Sequence, residues 1–263
     1  MSHFDYKTIC VVGATSGIGK ALAEALVAIP SAPTVIAVGR REDRLKALAD
    51  SSAAQGKIKP FVADISTSQQ AEAFFSKLVK EYPSLDAIIV NAGVQYLQDW
   101  SNPESIDLDK LATETDLNYK AVLATAKGAL THFKKLNRGA FVTVTSGLAA
   151  VPKADTANYN ASKAGVRSFT LSLRYAYKDS PIQIREIVPP LVESELHDNQ
   201  GTSEKLAGAW VPLSDFIPHV ISKLVQTDDP EITYGFSEKG YSNFEKGKWD
   251  VMLSMAGGPP KRN

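Results

Sequence analysis

Short apolar segments rich in β-branched residues alternate with longer segments of helical periodicity along the chain. The apolar segments predict seven strands, near residues 6–12, 33–39, 57–63, 85–90, 140–145, 182–188 and 232–236. The periodic segments predict helices near residues 17–29, 42–54, 67–81, 104–135, 157–178 and 214–226. This alternation is typical of right-handed βαβ crossovers and of a parallel sheet with helices on both faces. We therefore predict an α/β fold of doubly wound type, as a single domain spanning residues 1–263.

Two segments depart from the alternation. Residues 193–213 follow a predicted strand and mix polar, apolar and turn residues, so we expect a substrate lid, with a plain connecting loop as the alternative. Residues 237–263 form a C-terminal tail with aromatic side chains among charged ones and end in Gly257-Gly258-Pro259-Pro260 and three further residues. Two interpretations of the tail stay open: a cover for the active site of its own or a neighbouring subunit, or a loose end.

The charge balance argues against two classes of partner. Lys plus Arg and Asp plus Glu number 29 each, so nothing in the charge predicts binding to nucleic acid or to an anionic membrane surface. No apolar run reaches the ~18 residues that a membrane span needs, and Met1–Asp5 lacks the basic start and apolar stretch of a signal peptide.

Cys10 is the single cysteine, and it lies in the first predicted strand. It cannot form an internal disulfide, which fits a reducing compartment, and we predict a cytoplasmic protein. With four histidines scattered along the chain, no metal site is predicted.

A glycine-rich turn follows the first predicted strand and leads into a helix. Its spacing is Gly-x-x-x-Gly-x-Gly, which differs from the usual Gly-x-Gly-x-x-Gly fingerprint. Such a turn lets the backbone approach a pyrophosphate, while free amides and the helix dipole hold the anion. An ordinary glycine-rich turn is the alternative. The candidate dinucleotide-binding residues are Gly13, Thr15, Ser16, Gly17, Ile18 and Gly19.

Polar residues follow two other predicted strands. Ser146 ends the β-branched run Phe141–Thr145, and Asn91-Ala92-Gly93 follows the strand near 85–90. In open α/β sheets ligands bind beyond the carboxyl ends of the strands. Ser146 is therefore placed where it can donate a hydrogen bond to a substrate oxygen.

Tyr159 and Lys163 lie four residues apart on a predicted helix, so both side chains share one face. A lysine ammonium there would stabilise the phenolate and lower a tyrosine pKa that is about 10 when unperturbed. A tyrosine of lowered pKa can exchange a proton with an alcohol or carbonyl oxygen near neutral pH. Alone, the pair is common on solvated helices, and it gains weight from the other segments.

In this order the segments resemble the short-chain dehydrogenase/reductase family, over nearly the whole chain and with matching spacings. Ser146 precedes Tyr159 by thirteen residues, and Asn118 precedes it by forty-one. The resemblance implies a Rossmann-type fold. Within the family, three segments are most similar to the bacterial DltE-type oxidoreductases: Ser146–Ala149, Pro189–Val192 and Gly235–Lys239.

The resemblance implies a catalytic role for four residues. Tyr159 would be the general acid/base, with a pKa set by Lys163 and by the oxidised nicotinamide ring. Lys163 would also bind the nicotinamide ribose hydroxyls. Ser146 would orient the substrate oxygen and stabilise developing charge on it. Asn118 would bend its helix and anchor a water that links Lys163 to solvent.

It also implies further cofactor contacts. Asp64 would accept from the adenine amino group beside the Ile65 amide, although a helix cap is the competing interpretation of Asp64. Asn91 would tie the sheet together beside the cofactor. The remaining expected contacts are Ala92, Gly93, Pro189, Val192 and Ser194, together with Tyr159 and Lys163. Two positions depart from the family pattern: Val12 replaces a threonine, and Pro190 replaces a glycine and removes an amide donor.

The choice of dinucleotide follows from the end of the second predicted strand, at Gly39-Arg40-Arg41. Enzymes that bind NAD usually carry a carboxylate at this strand end. Here two guanidinium groups can bond the 2′-phosphate of NADP instead. We predict NADPH/NADP⁺ rather than NADH, chiefly through Arg40, with Arg41 either stacked or facing solvent.

The leading hypothesis is an NADPH-dependent carbonyl reductase that acts on a ketone or aldehyde. The alternatives are an NAD(P)-linked polyol or sugar-alcohol dehydrogenase, and an NADP-binding sensor or scaffold without catalysis. Family members often pair through helices such as those near 104–135 and 157–178, which implies a homodimer or homotetramer. The candidate substrate contacts are Ser146, Gln95, Tyr96, Leu148 and Trp210.

Overall fold

A computed structural model describes residues 3–256. The last residues of the expected tail, including Gly257-Gly258-Pro259-Pro260, lie outside the described residues, as do the first two residues of the chain. No helix between residues 3 and 256 combines the length and the apolar character that crossing a bilayer requires.

Seven strands form one parallel sheet in the order β3-β2-β1-β4-β5-β6-β7. They are β1 (Thr8–Val12), β2 (Thr34–Gly39), β3 (Ile58–Val62), β4 (Ala87–Val90), β5 (Gly139–Val144), β6 (Ile182–Val188) and β7 (Glu231–Thr233). The predicted doubly wound α/β fold is confirmed. The strand order reverses between β1 and β4, which is where such sheets open a crevice for a ligand.

Ten α-helices flank the sheet or follow it within the described residues. They are α1 (Gly17–Leu26), α2 (Glu42–Asp50), α3 (Ser68–Glu81), α4 (Leu108–Thr115), α5 (Ala121–Leu136), α6 (Ala157–Ala176), α7 (Ser203–Leu206), α8 (Leu213–Gln226), α9 (Phe236–Gly240) and α10 (Lys248–Ala256). The shorter α2 and β7 end before their predicted bounds. At β7 the reason is Gly235, whose φ of 56° turns the chain into α9.

The prediction of one helix over 104–135 is wrong. The Asp107 side chain caps α4 by accepting from the amides of Asp109 and Lys110, so the helix begins only at Leu108. A π-helical turn at Asp116–Lys120 then separates α4 from α5. Such wide turns are rare and are found frequently at functional sites.

The core lies in two layers, one on each face of the sheet, because alternate strand residues point to opposite faces. In β1, Ile9 and Val11 pack into one layer, whereas Cys10 and Val12 pack into the other. Cys10 is fully buried, and burial raises the pKa of its thiol. It is therefore an unreactive core side chain.

The segment 193–213 leaves the sheet after β6 and returns beside its own start. Val192 and Val211 form an isolated parallel bridge that closes the base of this excursion. Between them lie a 3₁₀ turn at Glu195–Gln200 and α7. The segment is thus an anchored loop with helical turns rather than an open connection.

Candidate active site

A cavity of about 990 Å³ opens at the carboxyl ends of the strands. It is lined by the glycine turn after β1, by the ends of β2, β4, β5 and β6, and by the 193–213 segment. A concave site of this size at a topological switch point suits a cofactor together with a small substrate.

The glycine turn is built for close backbone approach. Gly13 has a φ of 85° and Gly17 one of 52°, which only glycine adopts without strain. A Cβ on Gly19 would lie 2.1 Å from the Gly13 carbonyl oxygen. Gly19 therefore packs beneath the turn rather than lining the cavity, whereas Gly13, Thr15, Ser16, Gly17 and Ile18 line it.

Asn91 and Asn118 fix the floor of the cavity. The Asn91 side-chain amide donates to the Gly13 carbonyl at 3.1 Å, which ties the end of β4 to the glycine turn. Asn118 is fully buried in the π-helical turn. Its Oδ1 accepts from the Val94 amide at 2.9 Å, and its Nδ2 donates to the Val94 carbonyl at 2.8 Å. Asn118 thus anchors the backbone of the segment that follows Ala92-Gly93.

Arg40 and Arg41 differ in their surroundings. Arg40 is exposed at the cavity rim, and its guanidinium is 3.5 Å from the Ser66 hydroxyl. Arg41 instead turns back over the glycine turn and donates to the hydroxyls of Thr15, at 2.7 Å, and Ser16, at 2.8 Å. Its other terminal nitrogen bonds Glu195 at 2.8 Å. These acceptors hold Arg41 against the glycine turn, with 41% of its side chain still exposed to solvent.

Asp64 and Ile65 line the cavity at the end of β3. The Asp64 carboxylate accepts from the amide and hydroxyl of Ser66, at 2.9 and 2.5 Å. Burial acts to raise the pKa of Asp64, yet these bonds hold it below its usual value. The cap of α3 is Thr67, which forms a capping box with Gln70. Asp64 is therefore not the N-cap, which removes the competing interpretation.

Ser146, Tyr159 and Lys163 meet in the middle of the cavity. Tyr159 and Lys163 are buried side chains of α6, and Ser146 follows β5 by two residues. The Ser146 hydroxyl is hydrogen-bonded to Tyr159, and it also accepts from the Leu148 amide at 3.1 Å. Lys163 donates to the Val144 carbonyl at 2.9 Å and lies 5.7 Å from the centre of the Tyr159 ring.

The expected acidification of Tyr159 by Lys163 is wrong for the protein alone. Burial raises the pKa of Tyr159 to about 12; the Ser146 hydrogen bond opposes this rise and the Glu114 charge adds to it. Burial also lowers the pKa of Lys163 to about 8, against the fields of Glu114 and Glu186. The ammonium is held on the β5 backbone, so its field does not offset the desolvation of the phenol. Tyr159 consequently carries its proton at neutral pH.

Pro189, Val192 and Ser194 form the wall after β6. The Pro189 carbonyl accepts from the Gly147 amide at 2.8 Å, which joins this wall to the strand end that carries Ser146. Ser194 lies against the glycine turn, because a Cβ on Gly17 would meet the Ser194 Cβ at 3.1 Å.

The substrate side of the cavity holds most of the expected contacts. Gln95, Tyr96 and Leu148 line it together with Ser146, whereas Trp210 does not. The Trp210 amide is bonded to the Leu206 carbonyl, in the turn that leads back to the sheet. The segment 193–213 contacts the chain after β4 through Gln200. The Gln200 side-chain amide donates to the Gln95 carbonyl at 2.6 Å.

Three residues of the site escape sequence reasoning. Glu195 bonds Arg41, and Glu114 is buried behind Tyr159. His197 lines the cavity, is only 7% exposed, and its Nδ1 has no hydrogen-bond partner among the described residues. None belongs to a local motif, and the only available signal was the position of Glu114 four residues before Asn118.

The family model described as short chain dehydrogenase matches residues 7–205. The chain is 30% identical over 218 residues to the uncharacterized oxidoreductase DltE of Bacillus subtilis, covering 82% of this chain and 84% of that protein. It is 28% identical over 197 residues to the NADP-dependent 3-hydroxy acid dehydrogenase of Schizosaccharomyces pombe, covering 74% and 75%.

Solved structures share the fold. A closed serine dehydrogenase complexed with NADP⁺ matches with a TM-score of 0.74 at 24% identity, over 86% of this chain and 92% of that one. A short-chain dehydrogenase from Sphingobium yanoikuyae in complex with NADPH matches with a TM-score of 0.79 at 18% identity, over 98% of both chains. From the family match and the relative at 30% identity, the chain belongs to the short chain dehydrogenase family of oxidoreductases.

Proposed function

We propose that this protein is an NADPH-dependent carbonyl reductase for a ketone or aldehyde. The observation that carries the proposal is the convergence of Ser146, Tyr159 and Lys163 on the cavity that also contains the glycine turn. A binding protein without catalysis needs the turn alone, so this cluster favours an enzyme over a sensor or scaffold.

When bound, NADPH would supply the hydride for the carbonyl carbon, and the residues of this chain act on the carbonyl oxygen and its proton. Ser146 donates a hydrogen bond to the carbonyl oxygen and orients it. Tyr159 gives its proton to that oxygen as negative charge develops there, so that the carbonyl becomes an alcohol. Lys163 would hold the ribose of the bound cofactor, and its ammonium would stabilise the tyrosinate that remains after proton transfer. Asn118 completes the proton path from solvent. The same groups serve alcohol oxidation in reverse.

The cofactor-binding residues fit a phosphorylated dinucleotide. The amides of the glycine turn would hold the pyrophosphate, and Asp64 and Ile65 would contact the adenine. Arg40, Arg41 and Arg44 all border the same end of the cavity and can meet a 2′-phosphate. The NADP dependence named for the yeast relative, and the NADP⁺ and NADPH of the matched structures, support this choice.

Three further assignments belong to the proposal. Residues 1–263 act as one domain on a small molecule in the cytoplasm, and residues 193–213 are the lid over that molecule. The assembly is a homodimer or homotetramer. The polar pair Gln95 and Gln200 also favours a second candidate, the polyol or sugar-alcohol dehydrogenase, because their amides can meet substrate hydroxyls.

The test is an NADPH-coupled screen across aldehydes, diketones, ketoses and cyclic ketones. Tyr159→Phe is expected to lower turnover by roughly 10²- to 10⁴-fold, while NADPH binding, measured by fluorescence titration, stays close to wild type. Tyr175→Phe removes a hydroxyl from the same helix and is the matched control. Retained turnover in Tyr159→Phe would refute the proton-transfer role, and faster oxidation of polyols than reduction of carbonyls would favour the second candidate.

A further inference from the structure

Glu114 is a fully buried carboxylate close to the active site but outside its cavity. It lies in the last turn of α4, four residues before Asn118. No Lys or Arg among residues 3–256 forms an ion pair with it. Burying a carboxylate without an ion pair is costly, so Glu114 at this position points to a task that an apolar residue would not perform.

Each oxygen of Glu114 accepts from a different segment of the site. Oε1 accepts from the Tyr96 amide at 2.9 Å, in the segment that borders the substrate side of the cavity. Oε2 accepts from the Asn158 side-chain amide at 2.7 Å, in the first turn of α6. One carboxylate therefore bridges the substrate wall and the helix that carries the general acid.

Asn158 is the residue directly before Tyr159, and it is fully engaged. Besides Glu114, its side-chain amide donates to the Leu111 carbonyl at 3.0 Å. Its backbone amide donates to the Gln98 side chain at 3.1 Å. These bonds fix the first turn of α6 against α4 and against the chain that follows β4.

Glu114 and Asn118 act on the same stretch of chain. Asn118 holds both backbone groups of Val94, and Glu114 holds the amide of Tyr96, two residues further on. Alternate amides of an extended chain face the same side. Glu114 and Asn118 therefore bond this side of the segment, as the backbone of a neighbouring strand would in a sheet. Asn118 bonds only Val94 in this segment, so without Glu114 the Tyr96 amide would lose its buried hydrogen-bond acceptor.

The charge of Glu114 also reaches the reacting groups. Its carboxylate adds to the rise in the pKa of Tyr159 and acts to raise the pKa of Lys163. Glu186, on β6, is the other carboxylate that faces Lys163. Burial raises the pKa of Glu114 itself, against the bonds from Asn158 and Tyr96 and the field of Lys163.

We propose that Glu114 is a positioning residue for the reductase reaction. Its carboxylate joins the turn of α6 that carries Tyr159 to the backbone of Tyr96 on the substrate side of the cavity. It also places a negative charge near Tyr159 and Lys163. This inference rests on the proposed function, so wild-type turnover and its loss in Tyr159→Phe are established first. A failure of those two controls counts against the function, and only the variants below count against Glu114.

The experiment compares Glu114→Gln and Glu114→Asp with Asp116→Asn, which removes a partly exposed carboxylate, paired with Lys120, from the π-helical turn. In Glu114→Gln, kcat is expected to fall roughly tenfold to a hundredfold, because small displacements of catalytic groups cost this much, with NADPH affinity unchanged. The alkaline limb of the pH–rate profile is expected to move to lower pH by on the order of one unit, since the neutral amide no longer favours the protonated forms.

Glu114→Asp keeps the charge but shortens the reach, so it is expected to lose kcat while keeping the wild-type pH midpoint. Asp116→Asn is expected to match wild type in both. A Glu114→Gln enzyme with the wild-type kcat or the wild-type pH midpoint would overturn the proposal. If Glu114→Gln does not fold, Asn158→Ala decides, because it cuts the link to α6 and leaves the carboxylate: a severalfold loss of kcat supports the proposal, and wild-type kcat overturns it.

Discussion

The Arg41 guanidinium donates to the Glu195 carboxylate at 2.8 Å, across 154 positions of the chain. Arg44 bonds the same carboxylate at 2.5 and 2.6 Å. Glu195 is the first residue of the 3₁₀ turn in the 193–213 segment. The Glu195 carboxylate thus ties the proposed lid to Arg41 and Arg44. We propose that the same two arginines bind the 2′-phosphate of NADPH.

Glu195 and a 2′-phosphate would compete for one guanidinium. Glu195→Gln is therefore expected to bind NADPH about threefold to tenfold more tightly, the range for one charged hydrogen bond in a partly exposed site, with NADH affinity unchanged. Fluorescence titration with both nucleotides measures it. Glu193→Gln, an exposed neighbour in the same segment, serves as the control. Unchanged or weaker NADPH binding in Glu195→Gln would contradict the competition.

The sequence predicted Arg40 as the chief contact to the 2′-phosphate, but Arg41 is held against the glycine turn, so we expect Arg41 to discriminate between the two nucleotides more strongly than Arg40. Arg41→Ala should weaken NADPH binding by roughly tenfold to a hundredfold, since a hydrogen bond to a charged group contributes about 1.5–3 kcal/mol. Arg40→Ala should cost less, because Arg40 is exposed and screened. The measurement is the ratio of kcat/KM for NADPH and NADH. Equal losses for both nucleotides in Arg41→Ala would exclude recognition of the 2′-phosphate.

Local sequence patterns predicted the seven strands, the glycine turn and the polar residues at the strand ends, because each depends on residues within a few positions of one another. A bend at Asn118 was implied by the family resemblance, but the separation of α4 from α5 at Asp116–Lys120 and the late start of α4 at Leu108 were not predicted. The π-helical turn includes Asn118, whose bonds to Val94 exist only after this turn has packed against the segment that follows β4.

The same limit applies to the remaining polar contacts of the site. Glu195 meets Arg41 and Glu114 meets Asn158 over separations of 154 and 44 residues, and neither pair has a local signature. The sign of the pKa shift at Tyr159 was also not predictable from its spacing to Lys163. It depends on how deeply the phenol is buried and on where the ammonium donates its hydrogen bonds.

Gly19→Ala is expected to disable the glycine turn. The added Cβ would meet the Gly13 carbonyl oxygen at 2.1 Å and the Asn91 amide nitrogen at 2.6 Å, and backbone cannot yield as a flexible side chain does. Overpacking of this kind typically costs about 1–3 kcal/mol, and NADPH binding should be lost with the turn geometry. Thermal unfolding and nucleotide titration measure both. Gly208→Ala, with no atom within 4 Å of its added Cβ, should change neither, and tight NADPH binding in Gly19→Ala would contradict this picture.

Lys163→Met is expected to stabilise the protein while removing activity. The folded-state pKa of Lys163 is about 8, below its ordinary value of 10.5, so the buried ammonium opposes folding at pH 7. The substitution should add on the order of 1–3 kcal/mol to the free energy of unfolding. Between about pH 8 and 10.5 the unfolded chain binds more protons at this site, so this residue makes wild-type stability rise with pH, and Lys163→Met should lack that rise.

Urea unfolding at pH 7 and pH 9.5 separates this effect from a general gain in stability. Lys127→Met, which removes an exposed lysine paired with Glu72, is the control and should change stability little at either pH. A Lys163→Met protein that is less stable than wild type at pH 7 would show that the hydrogen bond to the Val144 carbonyl outweighs the cost of burying the charge.

Arg167 joins the C-terminal segment to the sheet. Its guanidinium bonds Glu186 at 2.9 Å, Glu231 at 3.3 Å and Glu245 at 3.0 Å, and Arg167 is only 7% exposed. Arg167→Met leaves these buried carboxylates without their main counter-charge and should lower the free energy of unfolding by about 3–5 kcal/mol.

Adding Glu186→Gln to Arg167→Met tests the origin of that loss. Because the cost comes from uncompensated charge rather than from a missing contact, neutralising the most deeply buried carboxylate should recover part of the stability. Urea unfolding of the two single variants and the double variant forms the cycle that measures the coupling. Limited proteolysis should also cut the chain near Glu245 faster in Arg167→Met, since Glu245 anchors the turn after α9 to α6. Additive losses in the cycle would mean that Arg167 contributes through packing of its side-chain stem instead of its charge.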